Sequence, residues 1–302
     1  MHINDILNGE GTSFSFEFFP PKTELASEKL FETIKELETH RPSFVSITYG
    51  AGGSTRELTH DLVLRIKNTT SLNPIPHLTC VSHSEEDITE ILTRYAGEGV
   101  ANILALRGDP PRDQPGHDHS GAPFQYAGQL VNAIKQFNNS GSHPDQRGFG
   151  IGVAGFPEGH PATPNRIQEL DYLKWKVDQG ADYICTQMFF DNHDFLDFRD
   201  RCRLAGITIP IIAGIMPIHS LEGMKRMAEL AAGARFPAPL IAALEKATDK
   251  HETVREIGIN YATEQCAKLL DNDVDGIHFY TLNKSDATRR ILNNLEPRLS
   301  PS

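Results

Sequence analysis

The sequence of 302 residues has few cysteines, no long apolar run and no export signal. Cys80, Cys185, Cys202 and Cys266 form no CxxC pair, so reduced and mostly buried thiols are predicted. No apolar stretch approaches the roughly 20 residues that a membrane-spanning helix needs. The start, residues 1–5, lacks the basic region and apolar core of a signal peptide. These absences argue against secreted and membrane proteins, and we expect a cytoplasmic protein.

An excess of basic charge is also missing. The chain has 29 lysines and arginines against 40 acidic residues, a formal charge of −11, which argues against a general nucleic-acid-binding surface. A local pocket for an anionic ligand is compatible with this charge. No GxGxxG follows the first predicted strand and no GxxxxGK[ST] is present, so the usual dinucleotide and P-loop signals are absent. His117, Asp118 and His119 have a metal-like composition but lack a convincing third ligand, so no metal site is predicted.

Short apolar runs alternate with amphipathic stretches along the whole chain. Eight runs have the pattern of strands: 14–19, 44–49, 75–80, the run from 102, 149–156, 183–190, 210–216 and 276–282. A helical stretch follows each of them, and a longer helical insertion covers about 237–271. Alternating βα units demand parallel strands with right-handed crossovers, and eight units favour a closed (β/α)8 TIM barrel over an open sheet. No composition break divides the chain, so residues 1–302 are predicted to form one barrel domain, with the insertion before the last strand.

Two helices carry local signals. Ser54 and Glu57 have the capping-box spacing, which predicts that a helix begins there. On the helix after the fifth strand, Glu169, Tyr172 and Lys176 share a face that could be a solvated surface or could grip a nucleotide. The predicted core stripe of that helix is Ile167, Leu170, Leu173 and Val177.

Polar residues at the carboxyl ends of the strands are the candidates for a site, because TIM barrels carry their sites there. Glu17 alternates with Phe16 and Phe18, so its side chain should point away from those aromatic rings. Near apolar walls, desolvation would raise its pKa and suit it to proton transfer. The alternative is a salt-bridged structural acid. A functional role is favoured, because a glutamate among phenylalanines costs stability unless it is used.

The other strand-end residues have ordinary structural alternatives. The fourth strand ends in Arg107, Gly108 and Asp109 before two prolines, which force a turn with Asp109 at its tip. That pair of charges could be only a turn or an ion pair. Gln187 could bond a heterocycle as donor and acceptor together, or could be a satisfied core amide. Histidines near strand ends are more often structural than ligand-binding, and His77 and His160 are the candidates of this kind.

Seven motifs, in order along the chain, resemble those of the methylenetetrahydrofolate reductase family, the flavoprotein branch of folate metabolism. They are SFEFFPP (15–21), VSITYGA (45–51), PHLTC (76–80), LALRGD (104–109), PEGHP (157–161), TQ (186–187) and HFYTLN (278–283). Any single motif could arise by chance, but the ordered set is specific. The resemblance therefore covers essentially the whole chain.

The resemblance implies a (β/α)8 barrel that holds non-covalent FAD at the strand carboxyl ends. In this family NADH or NADPH reduces the flavin and leaves, and methylenetetrahydrofolate then takes the hydride in a ping-pong reaction that gives methyltetrahydrofolate. By motif position, the resemblance implies that Glu17 is the acid that protonates a folate ring nitrogen, that Asp109 tunes flavin and pterin, and that Gln187 binds the pterin. The implied FAD contacts are Thr48, His77, Leu106, Arg107, Gly108, Asp109, Tyr126, Ala127, Phe156, His160, Glu169, Tyr172 and Lys176.

The sequence departs from bacterial members at five positions. Phe156 stands where some have Tyr, so ring stacking could persist without a hydroxyl bond. Trp175 replaces an arginine, which removes one possible phosphate contact. Gly223 and Met227 replace a glutamine and a phenylalanine, and no role is carried over to them. Lys284 replaces an arginine, so a contact to the folate tail would become monodentate.

Two other hypotheses remain open. One is a pterin-binding barrel methyltransferase, which needs folate but no flavin. The other is a non-catalytic barrel that holds flavin or folate for a partner chain. No ribose-discriminating motif separates NADH from NADPH. The resemblance suggests a homo-oligomer acting on folate and a nicotinamide nucleotide, with no nucleic-acid or membrane partner and without the regulatory domain of the animal enzymes.

Overall fold

The eight apolar runs form eight parallel strands that close into a barrel. The computed structural model describes residues 1–9, 11–51, 54–109, 123–231, 233–247 and 251–299. The strands pair in sequence order and the first closes on the eighth, which confirms the predicted (β/α)8 barrel. They are β1 Ser13–Phe18, β2 Phe44–Ile47, β3 Pro74–Thr79, β4 Asn102–Leu106, β5 Gly150–Gly155, β6 Tyr183–Thr186, β7 Ile211–Ile215 and β8 Gly276–Tyr280.

A helix follows every strand, and β7 is followed by three within the described residues. The helices are α1 Ile3–Leu7, α2 Glu24–Glu38, α3 Arg56–Thr69, α4 Glu85–Gly97, α5 Ala127–Asn139, α6 Arg166–Asp178, α7 Asn192–Leu204, α8 Leu221–Leu230, α9 Ala238–Glu245, α10 His251–Leu270 and α11 Asp286–Leu299. Helices α9 and α10 are the predicted insertion before the last strand. No sequence signal had indicated α1.

The sixth strand is shorter than predicted, because it ends at Thr186 and not at residue 190. Beyond it the Gln187 backbone N–H still donates to the Gly155 carbonyl at 2.8 Å, and residues 188–190 bond to side chains. The Gln187 side-chain Oε1 accepts from the Met188 backbone N–H at 2.9 Å, and the Gln265 side-chain amide donates to the Phe189 carbonyl at 2.9 Å. The Tyr261 hydroxyl donates to the Phe190 carbonyl at 2.5 Å. An apolar run thus leaves the sheet without losing its hydrogen bonds.

The predicted capping box at Ser54 is wrong. Helix α3 begins at Arg56 with Thr55 as its N-cap, and no side chain caps it. The Thr55 hydroxyl accepts instead from the Gly50 N–H at 2.7 Å. The Glu57 carboxylate, which would have completed the box, accepts from Arg94 at 2.9 Å. Other hydrogen bonds of Thr55 and Glu57 therefore take the place of the predicted capping box.

The predicted core stripe of α6 is also wrong in part. Ile167 is 77% exposed, and Leu173 is the buried residue of this helix. Leu170 and Val177 are partly buried against the core. Polar Glu169 lies on the inward side, where its carboxylate accepts from the main chain, so the buried face is rotated from the one that apolar spacing indicates.

Two apolar layers surround the strands. The outer layer packs the helices against the barrel and contains Phe16 and Phe18 of β1. The inner layer fills the barrel with side chains from several strands and from α1: Ile3, Phe44, Ile75, Leu104, Tyr183, Cys185 and Ile212. Helix α1 closes the amino-terminal end of the barrel, since the Ile3 N–H donates to the Asn102 side chain at 2.6 Å. The closed lower end leaves the carboxyl ends of the strands as the open mouth.

A glycine on β5 makes room for the largest inner side chain. A Cβ atom at Gly152 would lie 2.3 Å from Cζ of the Tyr183 ring. We therefore expect Gly152→Ala to lower the free energy of unfolding by about 1–3 kcal/mol through overpacking. Urea denaturation measures the change. Gly97→Ala is the matched control, because a Cβ there meets no atom within 4 Å; equal stability of the two variants would contradict the proposed packing.

Candidate active site

Glu17 lies at the mouth of the barrel, on the inner side of β1. In the strand register it is paired with Ser46 on β2 and Tyr280 on β8. Phe16 and Phe18 are fully buried in the outer layer, so the predicted direction of the Glu17 side chain is confirmed. The side chain is 20% exposed. The carboxyl group is thus enclosed by the barrel wall but still reachable from the mouth.

The nearest side chains leave this carboxyl group without a positive partner. His77 Nε2 and His278 Nε2 lie 3.5 and 4.0 Å from Glu17 Oε2. Burial lowers the pKa of each histidine to about 3, so both rings are neutral at pH 7. Burial raises the pKa of Glu17 to about 8. A protonated glutamic acid at neutral pH is the form that can donate a proton.

His278 fixes the floor beneath Glu17. Its Nδ1 lies 2.7 Å from the Ser15 hydroxyl, and its Nε2 lies 3.2 Å from the Ser46 hydroxyl. Hydrogen-bonding groups on both nitrogens hold the ring in one orientation. Ser15 and His278 were not among the predicted site residues. The period-two alternation of Ser15 with Glu17, and of His278 with Tyr280, is the signal that could have placed them on the inner face.

Two further inner side chains keep their protons. Burial raises the pKa of Cys185 well above its usual range, and the Glu17 carboxylate raises it further. The pKa of Tyr280 is raised by burial and then by Cys185 and Glu17. The Tyr280 hydroxyl donates to the Thr186 carbonyl at 2.7 Å. The described side chains around Glu17, from His77, Cys185, His278 and Tyr280, are therefore polar but uncharged at neutral pH.

The end of β4 is packed tightly against β3. Gly108 has φ +84, and a Cβ there would lie 2.7 Å from Cβ of Thr79, so both backbone shape and space require glycine. The Cys80 N–H donates to the carbonyls of Leu106 and Arg107 at 3.2 and 3.1 Å. Arg107 and Asp109 are exposed at the mouth. The two prolines predicted to force the turn lie outside the described residues.

A second group of candidates surrounds His160, beyond the end of β5. The His160 N–H donates to Glu169 Oε1 at 2.6 Å, and the Phe156 ring meets the imidazole edge-on with centroids 4.7 Å apart. Burial lowers the pKa of His160 and the Arg107 guanidinium lowers it further, while the carboxylates of Glu169 and Asp109 act against them. Residues from the ends of β4 and β5 and from α6 thus share one electrostatic environment.

Lys176 directs its ammonium group inward, not to solvent. Its Nζ donates to the Ala154 carbonyl at 2.6 Å. Burial lowers the Lys176 pKa to about 8, and Glu169 partly offsets this effect. The predicted polar face of α6 is therefore divided, since Glu169 and Lys176 face the barrel while Tyr172 is 51% exposed.

Trp175 holds α6 against the start of α5. A Cβ at Gly128 would lie 2.3 Å from the indole ring, so the missing side chain leaves the space that the ring occupies. Tyr126 and Ala127 begin α5 at this contact, and Tyr126 is 57% exposed. Trp175, which stands where bacterial members have an arginine, thus packs together two helices that carry candidate residues.

Gln187 points one side of its amide toward solvent. The side-chain Oε1 of Gln187 accepts from the Met188 backbone N–H at 2.9 Å. The backbone N–H of Gln187 donates to the Gly155 carbonyl at 2.8 Å. Among the described residues the amide NH2 group has no acceptor. Gln187 also lines a small pocket with Phe156, so it adjoins the second group of candidates.

The remaining candidates flank the mouth. The Thr48 N–H donates to the Phe18 carbonyl at 2.9 Å, which fixes the end of β2 beside Glu17. Lys284 is exposed on the turn after β8, where its charge contributes to lowering the pKa of His219. Met227, to which no role was carried over, is buried among the side chains beneath α8. Gly223 donates its N–H to the Ser220 hydroxyl that caps this helix.

Neither a metal-ion cluster nor a membrane-spanning helix occurs among the described residues. That part of the chain contains no group of three or more His, Cys, Asp or Glu side chains able to hold a metal ion. His117, Asp118 and His119 lie outside it. None of the described helices is long and apolar enough to cross a membrane.

Comparison with known sequences gives a family match over nearly the whole chain. The profile described as methylenetetrahydrofolate reductase matches residues 2–296. Methylenetetrahydrofolate reductase (NADH) 1 of Arabidopsis thaliana is 44% identical over 97% of this chain and 50% of its own length. The 5,10-methylenetetrahydrofolate reductase of Escherichia coli is 38% identical over 94% of this chain and 90% of its own length. The chain thus spans about half the length of the plant relatives.

A solved structure shares the fold. A Clostridium thermocellum protein, described as binding two copies of 5-methyl-5,6,7,8-tetrahydrofolic acid, superposes with a TM-score of 0.62. The alignment covers 99% of both chains at 14% identity. At that identity the likeness concerns the barrel and not the ligand.

Because burial raises the pKa of Glu17, the stability of the folded protein should depend on pH. Between the ordinary pKa of 4.5 and the folded value of about 8, the folded state holds a proton that the unfolded state releases. The contribution of Glu17 to the free energy of unfolding is therefore fully present at low pH and is lost as the pH rises through that window. Glu17→Gln removes this dependence, so its melting temperature relative to wild type should rise by about 5 °C between pH 5.5 and pH 9.

The matched control is Glu32→Gln, which changes an exposed carboxylate on α2. Its difference from wild type should be the same at both pH values. A Glu17→Gln difference that stays constant, or falls with pH, would show that Glu17 is ionised in the folded protein.

Proposed function

Because the chain belongs to the methylenetetrahydrofolate reductase family, we propose that it reduces 5,10-methylenetetrahydrofolate to 5-methyltetrahydrofolate. The proposed cofactor is non-covalent FAD and the proposed reductant is NADH or NADPH, in a ping-pong reaction. The observation that carries the proposal is the Glu17 carboxyl group at the barrel mouth, with the buried rings of His77 and His278 within 4.0 Å of it. Residues 1–302 are proposed to act as one catalytic domain. The plant relatives named for NADH make that nucleotide the first to test.

Several features of the mouth fit a bound flavin nucleotide. His77 Nε2 and Thr79 Oγ1 are buried without a hydrogen-bond partner among the described residues, although buried polar atoms normally have one. Arg107 and Lys176 supply positive charge for phosphate groups. Bound FAD would supply the hydride chemistry, and this chain would bind and orient the reactants.

The residues proposed to hold FAD come from four strand ends and two helices. On the first four strands and their loops they are Thr48, His77, Leu106, Arg107, Gly108 and Asp109. Beyond them they are Tyr126, Ala127, Phe156, His160, Glu169, Tyr172 and Lys176. Phe156 would offer a ring face but no hydroxyl bond.

Glu17 is proposed to act on the folate directly. Protonation of a folate ring nitrogen opens the methylene bridge to a reactive iminium, and the proton must come from an acid that still holds it at neutral pH. A pKa of about 8 meets that requirement. The neutral rings of His77 and His278 add no positive charge that would favour ionisation of Glu17. Its 20% exposure at the mouth allows it to regain a proton from solvent after each turnover.

Asp109, Gln187 and Lys284 are proposed to place the pterin and the folate tail. The exposed Asp109 carboxylate would adjust the local potential, as its effect on the His160 pKa illustrates. Gln187 would use its NH2 as a donor, because Met188 already occupies its carbonyl oxygen. The exposed Lys284 would pair with a carboxylate of the folate tail through a single contact.

Rapid mixing of the purified protein tests the proposal. The protein should show a flavin absorbance spectrum that NADH or NADPH bleaches and methylenetetrahydrofolate restores. In Glu17→Gln, bleaching should keep its rate within about twofold, while reoxidation by folate should slow about 10²–10⁴-fold, the usual contribution of a general acid. Glu32→Gln is the control and should match wild type in both steps.

Each alternative has its own outcome. Equal slowing of both steps in Glu17→Gln would refute the proton-donor role. Colourless protein without affinity for added FAD would refute the flavoenzyme, and methyl transfer by such a protein would favour the barrel methyltransferase. A flavin spectrum that neither nucleotide bleaches without a partner chain would indicate an accessory subunit.

A further inference from the structure

The main chain just after Glu17 has few backbone hydrogen-bond donors. Strand β1 ends at Phe18, and Phe19 is followed by Pro20 and Pro21. Proline has no N–H, so these two positions cannot donate a backbone hydrogen bond. The N–H of Phe19 is therefore the last donor before the chain leaves the barrel. How Phe19 is held determines how firmly the end of β1, and with it Glu17, is fixed.

The turn after β8 bonds both main-chain groups of Phe19. Asn283 Oδ1 accepts from the Phe19 N–H at 2.9 Å, and Asn283 Nδ2 donates to the Phe19 carbonyl at 2.9 Å. The Thr281 hydroxyl donates to the carbonyl of Glu17 itself at 2.6 Å. The same hydroxyl accepts from the Asn283 N–H at 3.2 Å, so the two side chains form one unit.

This turn has an unfavourable backbone conformation. Leu282 and Asn283 have φ of 51° and 56°, and they are the one consecutive pair of non-glycine residues with positive φ in the described chain. Asparagine tolerates this region better than leucine does. Such conformations persist where surrounding contacts impose them, and they cluster at functional sites. Here the imposed shape turns Asn283 back onto Phe19.

We propose that Thr281 and Asn283 are positioning residues for Glu17, which hold its main chain so that the carboxyl group meets the folate. This inference rests on the proposed function. A displacement of about 1 Å in a reacting group can cost about 10²-fold in rate. The two residues touch no reacting atom, so their effect should appear in proton transfer and not in cofactor binding.

Asn283→Gly is the main test, because glycine accepts positive φ while the side-chain contacts are lost. Reoxidation of the reduced flavin by methylenetetrahydrofolate should slow at least tenfold, with bleaching by the nucleotide within twofold of wild type. Thr281→Val should act in the same direction, and Thr281→Ser, which keeps the hydroxyl, should restore the rate. These two variants keep the proposal falsifiable if Asn283→Gly fails to fold.

The pH profile of the folate step separates positioning from general stability. Glu17 is faced by His77 on β3, Cys185 on β6, and His278 and Tyr280 on β8, all uncharged at neutral pH. A looser Glu17 gains contact with water, so the midpoint above which the step slows should move to lower pH in Asn283→Gly. A purely structural role would lower the melting temperature and leave that midpoint in place.

Asn138 provides a matched control. Its side-chain amide bonds both the backbone N–H and the carbonyl of Phe149, at 2.8 and 2.9 Å. Asn283 bonds Phe19 in the same two-point way, but Phe149 lies at the amino-terminal end of β5. Asn138→Ala should lower the melting temperature but leave the ratio of the two half-reactions unchanged. The proposal is overturned if Asn283→Gly behaves like Asn138→Ala, or if Thr281→Val and Thr281→Ser are equal. Failure of the wild type to reoxidise with folate would instead refute the proposed function.

Discussion

The rest of the site depends on the burial of one carboxyl group among partners that carry no charge. His77 and His278 approach Glu17 within 3.5 and 4.0 Å, yet burial keeps both rings neutral. A rise in the Glu17 pKa from 4.5 to about 8 corresponds to a difference on the order of 5 kcal/mol between its two protonation states. An ionised Glu17 would destabilise the barrel mouth, so the fold itself favours the acid form.

The barrel separates this acid from the groups proposed to hold the cofactor. Glu17 and its neutral neighbours come from β1, β3, β6 and β8, beneath the open mouth. The charged candidates Arg107, Glu169 and Lys176 come from the end of β4 and from α6. The separation keeps positive charge away from Glu17, which would otherwise lower its pKa. In the proposed reaction, this separation would allow the folate step to be altered without the nucleotide step.

The sequence predicted the barrel and the direction of Glu17, because both follow from short-range periodicity. Strand alternation places Glu17 opposite Phe16 and Phe18, and repeated βα units allow few topologies. The sequence did not predict the partners of Glu17, because His278 and Ser46 lie far apart along the chain. The errors at Ser54 and Ile167 share a cause, since polar tertiary contacts by Thr55, Glu57 and Glu169 overrode local patterns. The bonds of Asn283 to Phe19 likewise need the closure of β8 on β1.

Infrared difference spectroscopy during a pH titration tests the central claim most directly, because a protonated carboxyl group absorbs separately from a carboxylate. At pH 7 the protein should show a protonated carboxyl band that titrates near pH 8 and is missing from Glu17→Gln. Glu32→Gln should retain the band. The account would be contradicted if wild type and Glu17→Gln gave the same carboxyl spectrum at pH 7, since Glu17 would then be ionised where the proposed chemistry needs an acid.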